Sequence, residues 1–320
     1  MRRSIVITAA TAAALALAGC GTTEPAADSA AKDTKGITLT DASGAKVTLD
    51  RPAKKVVGTE WNVVESLVTL GVDPVGVADV KGYGTWDTAA PLKNGPKDIG
   101  TRGEPSMDTI ASLSPDLIVA TTDLPDAAVK QLRKIAPVLE VRSADAADPV
   151  GQMKENLDLI AEATGTTAEA DEAKKAYDTK VAEGRKALAD AGLAGTRIAF
   201  ADGYVASNQV SVRPYTAGSL IGGVNTALGL ENAWKIEGDK DYGLAATDVE
   251  GLTGLGDVRF AYIGSEGDVF ADDLAKNSVW TSLPFVKKDE VHRLPDGIWM
   301  FGGPRSMEAY VDALVGALTK

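Results

Sequence analysis

Along residues 37–320, short apolar runs alternate with stretches whose apolar positions recur every three or four residues. The runs read as strands and the stretches as amphipathic helices. Residues 37–39 and 47–49 alternate about Asp41-Ala42-Ser43-Gly44, a hairpin signal. Val56-Val57 reads as a strand. Residues 61–70 read as a helix, with Val64, Leu67 and Val68 on one face and Gly71 as its stop. Residues 75–78, 117–120 and 138–141 are further strands, and residues 108–113 and 127–135 further helices. The strands are apolar without a clean period of two, and they alternate with helices. The expected architecture is therefore α/β, a parallel sheet covered by helices.

From residue 149 to 191 the pattern becomes helical throughout. Met153, Leu157, Ile160 and Ala161 form one stripe, and an Ala-, Glu- and Lys-rich stretch spans residues 169–189. Thr164-Gly165-Thr166-Thr167 either kinks one long helix or separates two nearly joined ones. This segment is expected to connect two domains; the alternative is an amphipathic pair inside one. The α/β rhythm then returns, with strands at 198–200, 258–263 and 291–294 and helices at 219–228 and 306–318. A short internal repeat supports two lobes. Met107–Leu113 precedes Pro115-Asp116-Leu117-Ile118, much as residues 249–255 precede Asp257-Val258-Arg259-Phe260, and an acidic residue leads each helix. The expected organisation is two Rossmann-like α/β lobes, residues 37–148 and 192–320, on either side of the helical segment 149–191.

The N-terminus has a different character. Arg2 and Arg3 precede an apolar run, residues 5–18, that ends in Leu17-Ala18-Gly19-Cys20. At about 14 residues the run is short for a membrane span. A basic flank, an apolar run and small residues before a cysteine make the layout of an exported precursor. It resembles a bacterial lipoprotein signal, which implies cleavage after residue 19 and acylation of Cys20. Residues 20–36 then form a flexible tether. Cys20 is the only cysteine, so an acylated chain has no thiol for a disulfide or a metal. The net charge is −12, and loss of Arg2 and Arg3 takes it to −14. A nucleic-acid binder normally carries a basic field, so nucleic acid is not an expected partner.

Four features carry a more specific resemblance. They are Arg51-Pro52 before Val56-Val57, the helix ending at Gly71 before Val75-Gly76-Val77, the segment 100–116 (GTRGEPSMDTIASLSPD), and the long helical region. In this order, behind the lipid signal, they resemble the substrate-binding lipoproteins of bacterial ABC importers for iron–siderophores and vitamin B12. The resemblance implies two lobes joined by a long rigid helix, a ligand cleft between them, and little lobe closure. It implies a monomer, anchored at the outer face of the cytoplasmic membrane, that captures a ferric siderophore and hands it to an ABC permease. The iron arrives chelated, so neither a cofactor nor direct metal ligation by the protein is implied.

Such a cleft needs aromatic walls and donors for polarised oxygens. Arg102, in the Gly100–Gly103 turn, offers a planar five-donor fork. In the hydroxamate binders that this chain resembles, an arginine at the matching place contacts the iron-bound oxygens. Trp61 starts the first helix, and Tyr83 and Trp86 sit in a stretch broken by Gly82 and Gly84. These three line the cleft or pin the loop. The second lobe offers Arg213, Tyr215, Trp234 and Tyr242 in polar or glycine-rich surroundings. Trp234 serves equally as core. Trp299 and Phe301, after the last strand, match the position of an aromatic pair in ferric-hydroxamate binders, and Arg305 supports that loop or reaches the cleft. The resemblance also implies one exposed acid per lobe that docks on permease arginines. Asp108 and Glu250 take these places; where the family more often has Glu the chain has Asp108, so Glu104 shares that role.

His292 is the only histidine, and zinc sites need three or four side-chain ligands. It reads as structural. A serine hydrolase is disfavoured because neither Gly218-Ser219 nor Gly264-Ser265-Glu266-Gly267 completes a nucleophile elbow. The remaining alternatives are a structural or adhesion lipoprotein, and a binder of catecholate, citrate, heme or cobalamin. A trihydroxamate of ferrioxamine type fits the modest set of arginines and the aromatics best.

Overall fold

The computed structural model describes residues 36–320, apart from residues 208, 265 and 266. The expected leader, Cys20 and almost all of the tether lie outside the described residues. Strands β1 (Ile37–Thr40) and β2 (Lys46–Leu49) pair antiparallel. Asp41 builds the turn between them: its Oδ1 accepts from Ser43 N at 2.9 Å and Ala45 N at 2.9 Å. β3 (Val56–Gly58) leads into α1 (Trp61–Thr69), and Gly71, at φ +72°, ends that helix as expected. Next come β4 (Gly76–Val77), α2 (Val80–Trp86), β5 (Lys97–Asp98) and a two-strand ribbon, β6 (Gly100–Thr101) with β7 (Glu104–Pro105). α3 (Met107–Leu113), β8 (Leu117–Thr121), α4 (Asp126–Leu132) and β9 (Val138–Val141) complete the N-terminal half.

Five of these strands form one parallel sheet in the order β5-β4-β3-β8-β9. Every residue of β8 is buried, which is why it reads as a continuous apolar run. Successive side chains still take opposite faces. Leu117 and Val119 enter one core with α1, while Ile118 and Ala120 enter another with Ile110 and Val129.

Helix α5 (Pro149–Thr164) is capped by Asp148, whose Oδ1 accepts from Gly151 N at 3.0 Å. It ends at Gly165, at φ +72°, and α6 (Thr167–Asp190) follows at once. Of the two possibilities left open by the sequence, the structure has two helices. They run antiparallel, tied by Lys154–Asp178 at 2.6 Å and Lys174–Asp158 at 2.5 Å. The segment is thus a helical hairpin, because a left-handed glycine reverses the chain. Both arms join the two halves. Leu157 and Ile160 of α5 and Ala170 of α6 enter the N-terminal core, whereas Met153 of α5 and Tyr177 and Val181 of α6 enter the C-terminal one.

The C-terminal half begins with β10 (Arg197–Ala206) and β11 (Gln209–Pro214), an antiparallel hairpin at the sheet edge that the apolar pattern did not reveal. α7 (Leu220–Ala227), β12 (Glu231–Asn232) and a 3-10 turn (Glu250–Gly254) follow. Then come β13 (Arg259–Tyr262), α8 (Ser278–Ser282), α9 (Pro284–Lys287), β14 (Val291–Arg293) and α10 (Pro304–Leu318). The sheet order is β11-β10-β13-β14, with β12 also on β10. α6, α7 and α10 cover one face; Phe270, Trp280 and Phe285 pack around Phe260 on the other.

Candidate ligand groove

In the N-terminal sheet the chain order reverses at β3, which has β4 on one side and β8 on the other. The crevice beyond the carboxyl ends of strands at such a point is where α/β folds take ligands. Glu60 and Trp61 stand there, just after β3. Glu60 caps α1 by accepting from Trp61 N at 2.8 Å. The Trp61 indole is 4% exposed, and its Nε1 donates to Ala78 O at 3.0 Å, which holds the ring across the end of β4.

Arg102 occupies the two-residue loop of the β6–β7 ribbon. The ribbon is aimed by Gly100, whose φ of +98° few other residues adopt, and whose O accepts from Asp79 N at 2.8 Å. The guanidinium carbon of Arg102 lies 4.1 Å from the Trp61 ring centre and 5.2 Å from that of Trp299. Its Nη1 donates to Glu60 Oε1 at 2.8 Å. One nitrogen is thus engaged, and most of the fork remains for a ligand.

On the C-terminal side, Arg213 of β11 stands opposite Asp202 of β10. Its Nε donates to Asp202 Oδ1 at 2.8 Å and its Nη2 to Oδ2, a two-point pair. Asp202 is fully buried. Burial raises its carboxyl pKa, and Arg213 opposes that rise. A ladder of rings joins the two arginines. Trp61 meets Trp299 at 4.8 Å, Trp299 meets Phe301 at 5.2 Å, and Phe301 meets Tyr215 at 5.8 Å and Tyr242 at 5.6 Å. Tyr242 also spans the halves, its hydroxyl donating to Asp123 Oδ2.

Glu60, Asn62, Arg102, Arg213, Tyr242, Leu244, Trp299 and Phe301 line one open groove of about 350 Å³. Trp299 Nε1 and Asn62 Oδ1 are buried without a hydrogen-bond partner among the described residues. A groove with apolar walls and a few convergent polar groups is the usual form of a small-molecule site.

The structure thus brings Arg102, Trp61, Arg213, Tyr242, Trp299 and Phe301 together, but not the rest of the expected set. Tyr83 is 0% exposed in α2, its hydroxyl donating to Ala90 O at 2.6 Å. The glycines beside it do not make a loop, because Asp79 caps a helix through Gly82 N at 2.9 Å. Trp86 ends that helix and packs with the Trp61–Tyr83 cluster instead of lining the groove. Trp234 packs against the C-terminal core, its Nε1 donating to Phe200 O at 2.8 Å. Tyr215 is fully buried and supports the groove from behind Phe301. Arg305 is half-buried in the first turn of α10, outside the groove lining. His292 is half-buried, with Nε2 3.3 Å from Glu290 Oε2. Among the described residues, no group of His, Cys, Asp and Glu is placed to hold a metal ion.

Three lining residues, Glu60, Asn62 and Leu244, were not in the expected set. Asn62 follows Trp61 in α1. Tyr204, 38% exposed, pairs with Ser211 two steps beyond the Asp202–Arg213 pair, so it shares the face that carries Arg213. Asp108 and Glu250 are both exposed in the first turns of α3 and of the 3-10 turn, and Glu104 is exposed on β7.

Residues 56–297 match the family model described as periplasmic binding protein. The chain belongs to that family, whose members are substrate-binding proteins of transporters and not enzymes. It is 30% identical to the iron(3+)-hydroxamate-binding protein FhuD of Bacillus subtilis, over 95% of this chain and 94% of that one. It is 26% identical to the Fe(3+)-citrate-binding protein YfmC of the same organism, over 92% and 90%. Among solved structures it resembles the siderophore-binding protein FhuD of Vibrio cholerae bound to Fe3+-Desferal. There the TM-score is 0.75 at 25% identity, over 83% of this chain and 98% of that one.

Proposed function

We propose that this protein captures a ferric siderophore, a trihydroxamate of ferrioxamine type, outside the cytoplasmic membrane and delivers it to an ABC permease. The observation that carries this reading is the placement of Arg102 and Arg213 at two ends of one ring-lined groove. A chelated ferric ion presents polarised oxygens inside an organic shell. Two guanidinium groups meet the oxygens and the rings meet the shell. The groove needs no metal ligands, since the chelator supplies them.

Charge favours the hydroxamate over more anionic cargoes. Arg102 is paired with Glu60 and Arg213 with Asp202, so the two cations are matched by two carboxylates. A neutral chelate enters such a groove without leaving an unmatched charge, whereas a strongly anionic one finds no surplus cation. The names of relatives that bind hydroxamate, and Desferal in particular, support the same reading.

Anchoring through Cys20, behind a leader cleaved after residue 19, belongs to the proposal. So do the two lobes as domains and permease docking through Asp108, assisted by Glu104, and Glu250. The test is a titration of intrinsic tryptophan fluorescence with ferric Desferal, metal-free Desferal, ferric citrate, a ferric catecholate, heme and cobalamin. Trp61 and Trp299 stand at the site, so ferric Desferal is expected to quench at the lowest concentration. Indifference to every iron chelate would overturn the proposal.

A further inference from the structure

Trp299 and Phe301 lie on residues 297–303, a stretch without regular structure between β14 and α10. The segment leaves the C-terminal sheet, yet both its ends are fastened to the N-terminal half. At its start, Gly297 O accepts from Thr88 N at 2.9 Å and from Thr88 Oγ1 at 3.0 Å. The approach is close enough that a Cβ at Gly297 would meet Thr88 at 2.6 Å. At its end, Glu65 of α1 accepts from Gly303 N at 2.6 Å through Oε2 and from Ser306 N at 2.8 Å through Oε1. Glu65 therefore caps α10 across 238 positions of sequence. Neighbouring Asp87 accepts from Ser306 Oγ at 3.3 Å.

Between the fastenings the side chains divide. Ile298 and Met300 enter the C-terminal core, while Trp299 packs with Trp61, Val64, Val77 and Tyr83 of the N-terminal half. Glu65, Asp87 and Ser306 are all fully buried, and no cation pairs with either acid among the described residues. A buried carboxylate without a counter-ion is costly unless hydrogen bonds and a dipole stabilise it. Here two amides at the N-terminus of a 15-residue helix supply both.

We infer that Glu65, backed by Asp87, is a positioning residue that locks the Trp299–Phe301 strap onto the N-terminal half. The aromatic wall of the groove is then assembled before any ligand arrives, although its chain comes from the other half. As a statement about ligand capture this rests on the siderophore reading above; as a statement about the fold it does not.

The experiment separates the two. Hydrogen exchange on the ligand-free full chain reports the strap alone. Glu65→Gln, which exchanges one acceptor oxygen for a donor, is expected to speed exchange of the Gly302, Gly303 and Ser306 amides about tenfold, with β8 and β13 amides unchanged. Asp87→Asn is expected to stay within about threefold of wild type, because the amide keeps an acceptor for Ser306. Affinity for ferric Desferal is expected to fall about tenfold in Glu65→Gln, mainly through faster release. Should Glu65→Gln not fold, Thr88→Val removes the hydroxyl at the other fastening and is expected to free residues 298–301 by a few-fold. Unchanged strap exchange in folded Glu65→Gln, or in Thr88→Val where Glu65→Gln does not fold, or equal acceleration throughout the sheets, overturns the lock. Faster strap exchange with unchanged affinity overturns its role in binding. Failure of the wild type to bind ferric Desferal tells against the cargo, and the exchange result still decides the strap.

Discussion

Arg102 lies over the Trp61 ring, its guanidinium carbon 4.1 Å from the ring centre, while one of its nitrogens holds Glu60. The residues come from a ribbon loop and a helix start some forty positions apart, and they meet at the reversal point of the N-terminal sheet. The stack fixes the direction of the fork without using up its donors.

Arg102→Ala is therefore expected to weaken ferric Desferal binding at least about tenfold, the cost of about one charge-assisted hydrogen bond. Its effect on thermal stability is expected to be small, because the side chain is 37% exposed and exposed ion pairs contribute about 0–1 kcal/mol. Arg102→Lys keeps the charge and loses the fork, so its affinity should fall between the two. Equal affinity in wild type and Arg102→Ala, by fluorescence titration, would remove Arg102 from the site.

Tyr83→Phe tests the reassignment of Tyr83 to the core. The variant removes the hydroxyl that donates to Ala90 O and leaves that carbonyl buried and unmatched. A loss of about 1–2 kcal/mol in denaturant unfolding is expected, with ligand affinity unchanged. A variant with wild-type stability and reduced affinity would return Tyr83 to the groove.

Stability should respond to pH through the buried acid pair. Burial, followed by the charge of Glu65, raises the Asp87 carboxyl pKa, and burial raises that of Glu65. The folded protein consequently keeps a proton that the unfolded chain releases above about pH 4. A raised carboxyl contributes stability that is fully present below the unfolded pKa and declines as pH rises towards the folded one. Asp87→Asn removes this titration, so melting temperatures of wild type should fall relative to the variant from about pH 4 upward. Parallel curves for the two proteins would place the pH dependence elsewhere.

Asp108→Ala and Glu250→Ala should separate capture from delivery. Both acids are exposed and lie outside the groove lining. Ferric Desferal affinity is expected to be unchanged, while uptake by cells carrying the cognate permease falls by about tenfold or more for the double variant. Normal uptake by the double variant would end the docking assignment, and a further loss on adding Glu104→Ala would show that Glu104 shares it.

The alternation of apolar runs and helical stripes, read on the residues alone, was enough for the α/β class, most strands and helices, and the helical segment 149–191. Burial on both faces of a parallel sheet writes itself into β8 as an unbroken apolar run, and Gly71 and Gly165 mark helix ends because few other residues take their φ. Which aromatics face the ligand was not written there. Tyr83 and Tyr204 are the same residue type in similarly polar surroundings; one is sealed in α2 and the other stands on an edge hairpin. Local sequence sets a side chain's chemistry and its periodic face, whereas its neighbours depend on how elements far apart in the chain pack. The groove exists only because β6–β7, β11 and the strap after β14 converge, and Glu65 reached the last of these only through the folded core.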